Sequence, residues 1–192
     1  MFFNNILGSP IDLWGGYTQQ SFWQAYNGKA SRPFRETNYQ PELMAVLPID
    51  FSVLGVTTRF AGLGLEHQSN GQLALFSRSW NRLYCELGLE TGNLALVGRI
   101  WMRFGEMADN PDIYNYMGHG HVTATYRWRG HVFAGLFRYN FRYDRGAVQF
   151  SWASPIHPHI KGYLQVFSGY GQSMIDYNAL QRTIGLGFLV DY

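Results

Sequence analysis

The sequence predicts an all-β protein, an antiparallel transmembrane β-barrel with about ten visible strands, and three observations carry that expectation. Apolar and polar residues alternate with a period of two along the whole 192-residue chain, while helical periodicity is almost absent. The alternating runs reach about 10 to 14 residues, beyond the usual globular strand of about 5 to 6 and long enough for a tilted membrane-crossing strand. Charged residues make up 15% of the chain and aromatics 17%, where ordinary soluble domains carry about 25% charge.

In order, the strand-like segments lie near 11–25, 37–50, 58–69, 79–91, 93–105, 115–128, 130–141, 146–153, 158–168 and 182–192. Turn signals separate them, including "NGKASRP", "ETGN", "RWRGH", "YDRG" and "SPIHP". The segment 79–90 puts Asn81, Leu83, Cys85, Leu87 and Leu89 on one face, opposite Arg82, Glu86 and Glu90. In 94–104 the apolar face is Leu94, Leu96, Ile100, Met102 and Phe104, opposite Arg99 and Arg103. In 116–129 it is Tyr116, Val122, Ala124, Tyr126 and Trp128, opposite His119, His121, Thr123, Thr125, Arg127 and Arg129. The segment 130–141 sorts poorly and is placed by its neighbours.

The polar faces hold charges of both signs, among them Glu42, Glu66, Arg82, Glu86, Arg99 and Arg103. Gathered inside a small barrel they would pair with one another while the apolar faces meet lipid. The chain closes on "RTIGLGFLVDY", an alternating strand with Ile184, Leu186, Phe188, Val190 and Tyr192 on one face. A soluble antiparallel barrel or sandwich is the alternative architecture.

The formal net charge of +2, with no basic cluster interleaved with stacking aromatics, argues against nucleic acid as a partner. Cys85 is the single cysteine, so no internal disulfide forms. No run approaches the 18 or so apolar residues of a transmembrane helix. "MFFNNILGSP" lacks the basic flank and long apolar core of a signal peptide, so the expectation is a removed signal or a fragment.

Chemistry concentrates in "GLGLEHQSNG". Ala61, Leu63, Leu65, His67 and Ser69 share one face of that strand, so a histidine and a serine continue an apolar surface. If 58–69 and 79–91 form a hairpin that pairs Leu65 with Leu83, His67 faces Asn81 and Ser69 faces Ser79. A serine nucleophile needs a base, and the base needs an orienting partner. Exposing such groups to lipid is costly, which favours a functional role for them.

"HQSNG" followed by "SRSWNRLY", with "SRPFRETNYQPE" upstream and "DNPDIYNYMG" and "SGYGQSMIDYN" downstream, resembles the outer membrane phospholipase A family. The motifs run in order across nearly the whole chain. The resemblance implies a serine hydrolase of the Gram-negative outer membrane, which removes acyl chains from phospholipids (phospholipase A1 and A2) as a calcium-dependent homodimer. By it, Ser69 matches the nucleophile, His67 the base, Asn81 its orienter, and Gly71 an oxyanion-hole N–H. Ser77 and the Gln72 carbonyl match Ca2+ ligands, Ser31 a ligand from the other protomer, and Asp109 an acidic residue linked to calcium in the monomer. Gln19, beside Tyr17 and Trp23, matches a polar dimer contact. The resemblance also implies twelve strands, so residues 1–192 read as one barrel domain that lacks the first strands. Ala74 stands where an acidic residue is expected in "QLALF".

Other residues carry weaker expectations. His119 with His121, and His157 with His159, are candidate metal pairs, with lumen or turn roles as the plainer alternative. The "GYGQS" glycines suit a tight loop, with Ser173 and Asp176 ordering it. Arg35 and Glu36 are a candidate ion pair. The rival to the enzyme is a non-enzymatic or inactive outer-membrane barrel.

Overall fold

A computed structural model describes residues 3–105 and 107–190. Ten strands follow one another in a single sheet, each antiparallel to the one before. They are β1 (Asp12–Trp23), β2 (Phe34–Val53), β3 (Val56–Ser69), β4 (Ser79–Thr91), β5 (Leu94–Phe104), β6 (Gly120–Trp128), β7 (His131–Asn140), β8 (Arg145–His157), β9 (Ile160–Gly169) and β10 (Gln181–Val190). Tight turns join the strands at one end. The long connections 24–33, 70–78, 105–119 and 170–180 gather at the other. Among the described residues no ladder joins β1 to β10, and the sheet is open along that seam.

The alternation has its expected consequence. Inner-face residues bury and outer-face apolar residues stay exposed, as with Leu63, Leu65, Leu87, Ile100 and Met102. Arg99 holds the inner charges together: its guanidinium reaches Glu42 at 3.2 Å, Glu66 at 2.9 Å and Glu86 at 2.8 Å. Arg82 pairs with Glu66, and Tyr84 donates its hydroxyl to Glu42 at 2.7 Å. Opposite charges on neighbouring strands satisfy one another, which is what burial of ions requires. Arg103 goes elsewhere, its guanidinium donating to the Asn110 carbonyl at 2.7 Å.

Toward the long-loop end the interior turns apolar. Trp80, Tyr84, Trp101, Ile113, Met117, Met174 and Tyr177 form one buried cluster. This explains a departure from the sequence expectation of a strand from 115 onward. Ile113–Met117 is a short helix, α1, because Ile113 and Met117 sit four residues apart and both bury against the tryptophans. Tyr116 therefore packs inward, against Tyr170 and Tyr177, and not on the outer face. β6 starts only at Gly120.

The loop after β9 folds back over the interior. Met174 N–H donates to Asn38 at 2.9 Å and Ile175 N–H to Glu36 at 2.7 Å. Arg35 pairs with Asp176, so the expected Arg35–Glu36 pair does not form. Consecutive residues of a strand face opposite ways, and each finds its own partner in this loop. Ser173 donates to Asp176 at 3.3 Å, consistent with a loop-ordering role.

Candidate functional site

The β3–β4 ladder sets Leu65 opposite Leu83, His67 opposite Asn81 and Ser69 opposite Ser79. His67, Ser69 and Asn81 thus share the outer face near the long-loop end. His67 Nδ1 lies 2.8 Å from Asn81 Oδ1. An amide oxygen only accepts, so Nδ1 carries the proton and Nε2 is left with its lone pair. His67 is exposed, while Ser69 and Asn81 are half-buried. Among the described residues no hydrogen bond joins Ser69 to His67. Gly105 lies against the Asn81 amide: a Cβ there would stand 3.2 Å from Asn81 Nδ2.

The same two rungs are cross-linked from inside. Gln68 lies between His67 and Ser69 on the inner face, opposite Trp80. Its Oε1 accepts from Trp80 Nε1 at 2.8 Å and from Arg82 at 3.2 Å. The Arg82 guanidinium also lies over the Trp80 ring, 4.1 Å from its centroid. Trp80 is fully buried, so its N–H has no water to turn to. These bonds fix the lateral spacing of the strands that carry His67 and Asn81. Reasoning from sequence missed Gln68 and Trp80; the signal was there, since each adjoins a candidate residue on the opposite face.

The loop from 70 to 78 is built around Asn70, which is 3% exposed. Its amide donates to the Phe76 carbonyl at 2.8 Å, and its oxygen accepts from Arg78 N–H at 2.9 Å and Gln72 N–H at 3.3 Å. An asparagine that bonds nearby backbone is a turn-forming device. Gly71 follows with φ +62, and a Cβ there would meet the Tyr39 ring at 3.1 Å. Both the left-handed backbone and the close approach call for glycine. Among the described residues the Gly71 N–H has no partner, so it is available to an oxyanion.

Ser77 donates to Asp109 Oδ2 at 2.6 Å, and Ser79 donates to the same oxygen at 3.2 Å. Asn110, fully buried, accepts from Ser79 N–H at 3.2 Å and ties that loop to β4. The fold therefore brings Ser77 and Asp109 together beside the end of β4. Ser31 sits in the β1–β2 connection at φ +59, with no hydrogen bond to Gln72, Ser77 or Asp109 among the described residues. Gln19 is exposed on the outer face of β1, accepting from the Tyr17 hydroxyl at 2.9 Å and donating to Ser21 at 3.4 Å.

The histidine pairs are not gathered into a metal centre: among the described residues no three His, Cys, Asp or Glu side chains cluster as a ligand set. His119 precedes β6 and stacks on Tyr114 at 4.4 Å, while His121 meets the Trp101 ring edge-on at 5.3 Å. His157 ends β8 and His159 lies in the turn after it.

Comparison with known proteins identifies the relatives of this chain. The family model described as Phospholipase A1 matches residues 1–190. A putative phospholipase A1 of Neisseria meningitidis serogroup B is 45% identical over 96% of this chain and 50% of its own length. The phospholipase A1 of Klebsiella pneumoniae is 39% identical, covering 97% of this chain and 65% of its own length. The crystal structure of a Salmonella typhi outer membrane phospholipase, a dimer with bound calcium, superposes with a TM-score of 0.95 at 39% identity. That match covers 99% of this chain and 74% of the other. The chain thus spans half to just under two thirds of the curated relatives it matches. With a family model that matches residues 1–190 and relatives at 39–45% identity over nearly the whole chain, the chain belongs to the phospholipase A1 family.

Proposed function

We propose that this chain is an outer-membrane barrel that hydrolyses the acyl esters of phospholipids, with Ser69 as nucleophile, His67 as general base and Asn81 as its orienting partner. The 2.8 Å contact of His67 Nδ1 with Asn81 Oδ1, on an outward face with Ser69 two residues on, carries the reading. A polar trio on an apolar outer wall is expensive in lipid, and it faces the direction from which a phospholipid arrives.

The chemistry follows from the tautomer. His67 Nε2 takes the proton from Ser69 Oγ as that oxygen bonds to the ester carbonyl carbon. The carbonyl electron pair moves onto oxygen, which accepts a hydrogen bond from the Gly71 N–H. His67 then passes the proton to the departing glycerol oxygen as the carbon–oxygen bond breaks, leaving acyl-Ser69. A water, deprotonated by His67, releases the fatty acid and restores the serine. Asn81 supplies no charge to steady the imidazolium, so its part is to hold tautomer and ring orientation.

The Gln72 carbonyl and the Ser77 hydroxyl offer oxygen donors of the kind calcium takes, with Ser31 of a second copy as a further donor, while the Asp109 carboxylate, 2.6 Å from the Ser77 hydroxyl, is the acidic donor for calcium in the monomer. A calcium ion bound there would add positive charge beside the ester carbonyl. Ala74 adds no carboxylate, so the set is lightly charged and a correspondingly weak affinity is expected. Gln19, with Tyr17 and Ser21, gives the outer face of β1 a polar strip suited to pairing two copies in the membrane.

The test is hydrolysis of a phospholipid in detergent micelles with calcium or with a chelator. Hydrolysis that requires calcium supports the reading. Full activity in chelator rejects the calcium assignment, and no activity in either condition favours the non-enzymatic barrel.

A further inference from the structure

The lipid-facing wall carries a concavity of about 510 Å³, two strands along from Asn81. β6 begins late, so β5 and β7 run on to Phe104 and Asn140 with no β6 residue between them. The wall recedes there, and α1 closes it from inside. Arg103 N–H donates to the Tyr114 hydroxyl, and Asn140 Nδ2 donates to the Tyr114 carbonyl at 2.7 Å.

Two outward glycines deepen the groove. Gly98 lies opposite Val122, and Gly120 lies opposite Ile100. A Cβ on Gly120 would meet the Arg99 carbonyl at 2.7 Å, while one on Gly98 meets nothing within 4 Å. Phe137, Tyr139 and Phe141 form a continuous bank, the first two stacked at 6.5 Å and the last pair edge-to-face at 4.9 Å.

The head of the groove is basic. His119 and Arg142 both line it, and both lie at the long-loop end, level with the triad. Arg142 sits over the Tyr143 ring at 5.6 Å and His119 stacks on Tyr114. Among the described residues neither the guanidinium nor the imidazole has a hydrogen-bond or ion-pair partner. The neighbouring carboxylate, Asp144, is taken by the Tyr139 hydroxyl.

We propose that this groove is a second, non-catalytic phospholipid site, with one acyl chain along Ile100, Val122, Phe137 and Tyr139 and the phosphate at Arg142 and His119. An apolar trough that runs down the wall from an unpaired guanidinium has the polarity of a lipid standing in its leaflet. Arginine meets phosphate with two parallel hydrogen bonds, and His119 adds a third donor. The inference rests on the membrane placement proposed above and not on the hydrolytic chemistry.

Native mass spectrometry of the full chain in detergent tests it, in a Ser69→Ala background and with dimyristoylphosphatidylglycerol as probe. Gly98→Leu fills the groove at a position where a Cβ has space, Arg142→Gln removes the phosphate contact, and Val166→Leu on β9 is the lipid-facing control. The expected result is one retained phospholipid, with affinity lowered about tenfold or more by Gly98→Leu and by Arg142→Gln and unchanged in Val166→Leu. Equal retention in all variants means annular lipid only and overturns the proposal. Myristate retained in place of the phospholipid, or a second copy of the chain excluding it, also overturns it. Hydrolysis persisting in Ser69→Ala would sink the catalytic reading alone, because the retention pattern is read separately.

Discussion

His67 Nδ1 and Asn81 Oδ1 stand 2.8 Å apart on facing strands, while on the other side of the same sheet Gln68 accepts from Trp80 at 2.8 Å. A catalytic candidate and a structural clamp thus occupy neighbouring rungs of one ladder, back to back. Asn81→Ala removes the group that selects the imidazole tautomer. A hydrogen bond of this kind is worth about 1.5 to 3 kcal/mol when charge develops on it, so kcat for phospholipid hydrolysis should fall about 10- to 100-fold. KM should change little, and steady-state kinetics on micellar substrate read the split.

The clamp gives a separable outcome. Gln68→Ala strands the buried Trp80 N–H, at a cost of about 1 to 3 kcal/mol. Trp80→Phe leaves the Gln68 oxygen to Arg82 and adds a cavity, but creates no orphaned donor. Both variants should lower the denaturation midpoint in detergent. Because they act through the strands that carry His67 and Asn81, kcat should drop while detergent-resistant folding remains.

Gly71 answers to two constraints at once. At φ +62, with the Tyr39 ring 3.1 Å from any added Cβ, Gly71→Ala should cost roughly 1 kcal/mol or more in backbone strain and displace the N–H offered to the oxyanion. Adding Tyr39→Ala relieves the contact but not the dihedral, so activity should recover only in part.

In the barrel interior, Arg99 neutralises Glu42, Glu66 and Glu86 together. Arg99→Met leaves three carboxylates close together with Arg82 as the remaining strong partner of Glu66. Breaking such a buried network costs about 3 to 5 kcal/mol. The folded band seen by heat-modifiable electrophoresis should melt at a distinctly lower temperature, and Glu86→Gln added to it should restore part of the loss.

Alkali should act through the loop after β9. Burial first, and then the hydrogen bond to Asp112, push the Tyr177 phenol above its ordinary range. Burial pushes Tyr114 the same way. In the unfolded chain these phenols ionise near pH 10, so above that pH the unfolded state sheds protons that the folded state keeps. Stability is therefore intact below about pH 10 and falls above it. Tyr177→Phe should flatten the decline of melting temperature with pH, while costing some stability at neutral pH through the lost bond to Asp112.

The hairpin that carries the candidate site is legible in the sequence because strict alternation fixes its faces: a slip of one residue would bury Leu63 and Leu65 and expose Glu66 and Arg82, and the pairing of Leu65 with Leu83 then sets His67 opposite Asn81. The paired charges of the interior follow from the same pattern. The segment 115–128 misleads because "IYNYMG" holds only one helical turn. Tyr116 then reads as the start of the alternation of Val122, Ala124, Tyr126 and Trp128, and only the tryptophans across the interior, against which Ile113 and Met117 bury, decide the matter. Arg35 and Asp176 are 141 residues apart in sequence, so local reading offers Glu36 instead. Gln68 and Trp80 are set opposite each other by the register that pairs His67 with Asn81, but strand pattern does not show that their side chains bond. Ser31, Gln72, Ser77 and Asp109 come from three separate connections, and the calcium role proposed for them comes only from family resemblance.

The hydrolytic reading depends on activation of Ser69, on the outer wall, by His67. Treating the detergent-solubilised protein with an alkylsulfonyl fluoride and mapping the modified peptide by mass spectrometry tests it most directly. One covalent adduct is expected, on Ser69, formed in calcium and lost in His67→Ala. An adduct on another serine, or equal labelling of Ser69 with and without His67, would contradict it.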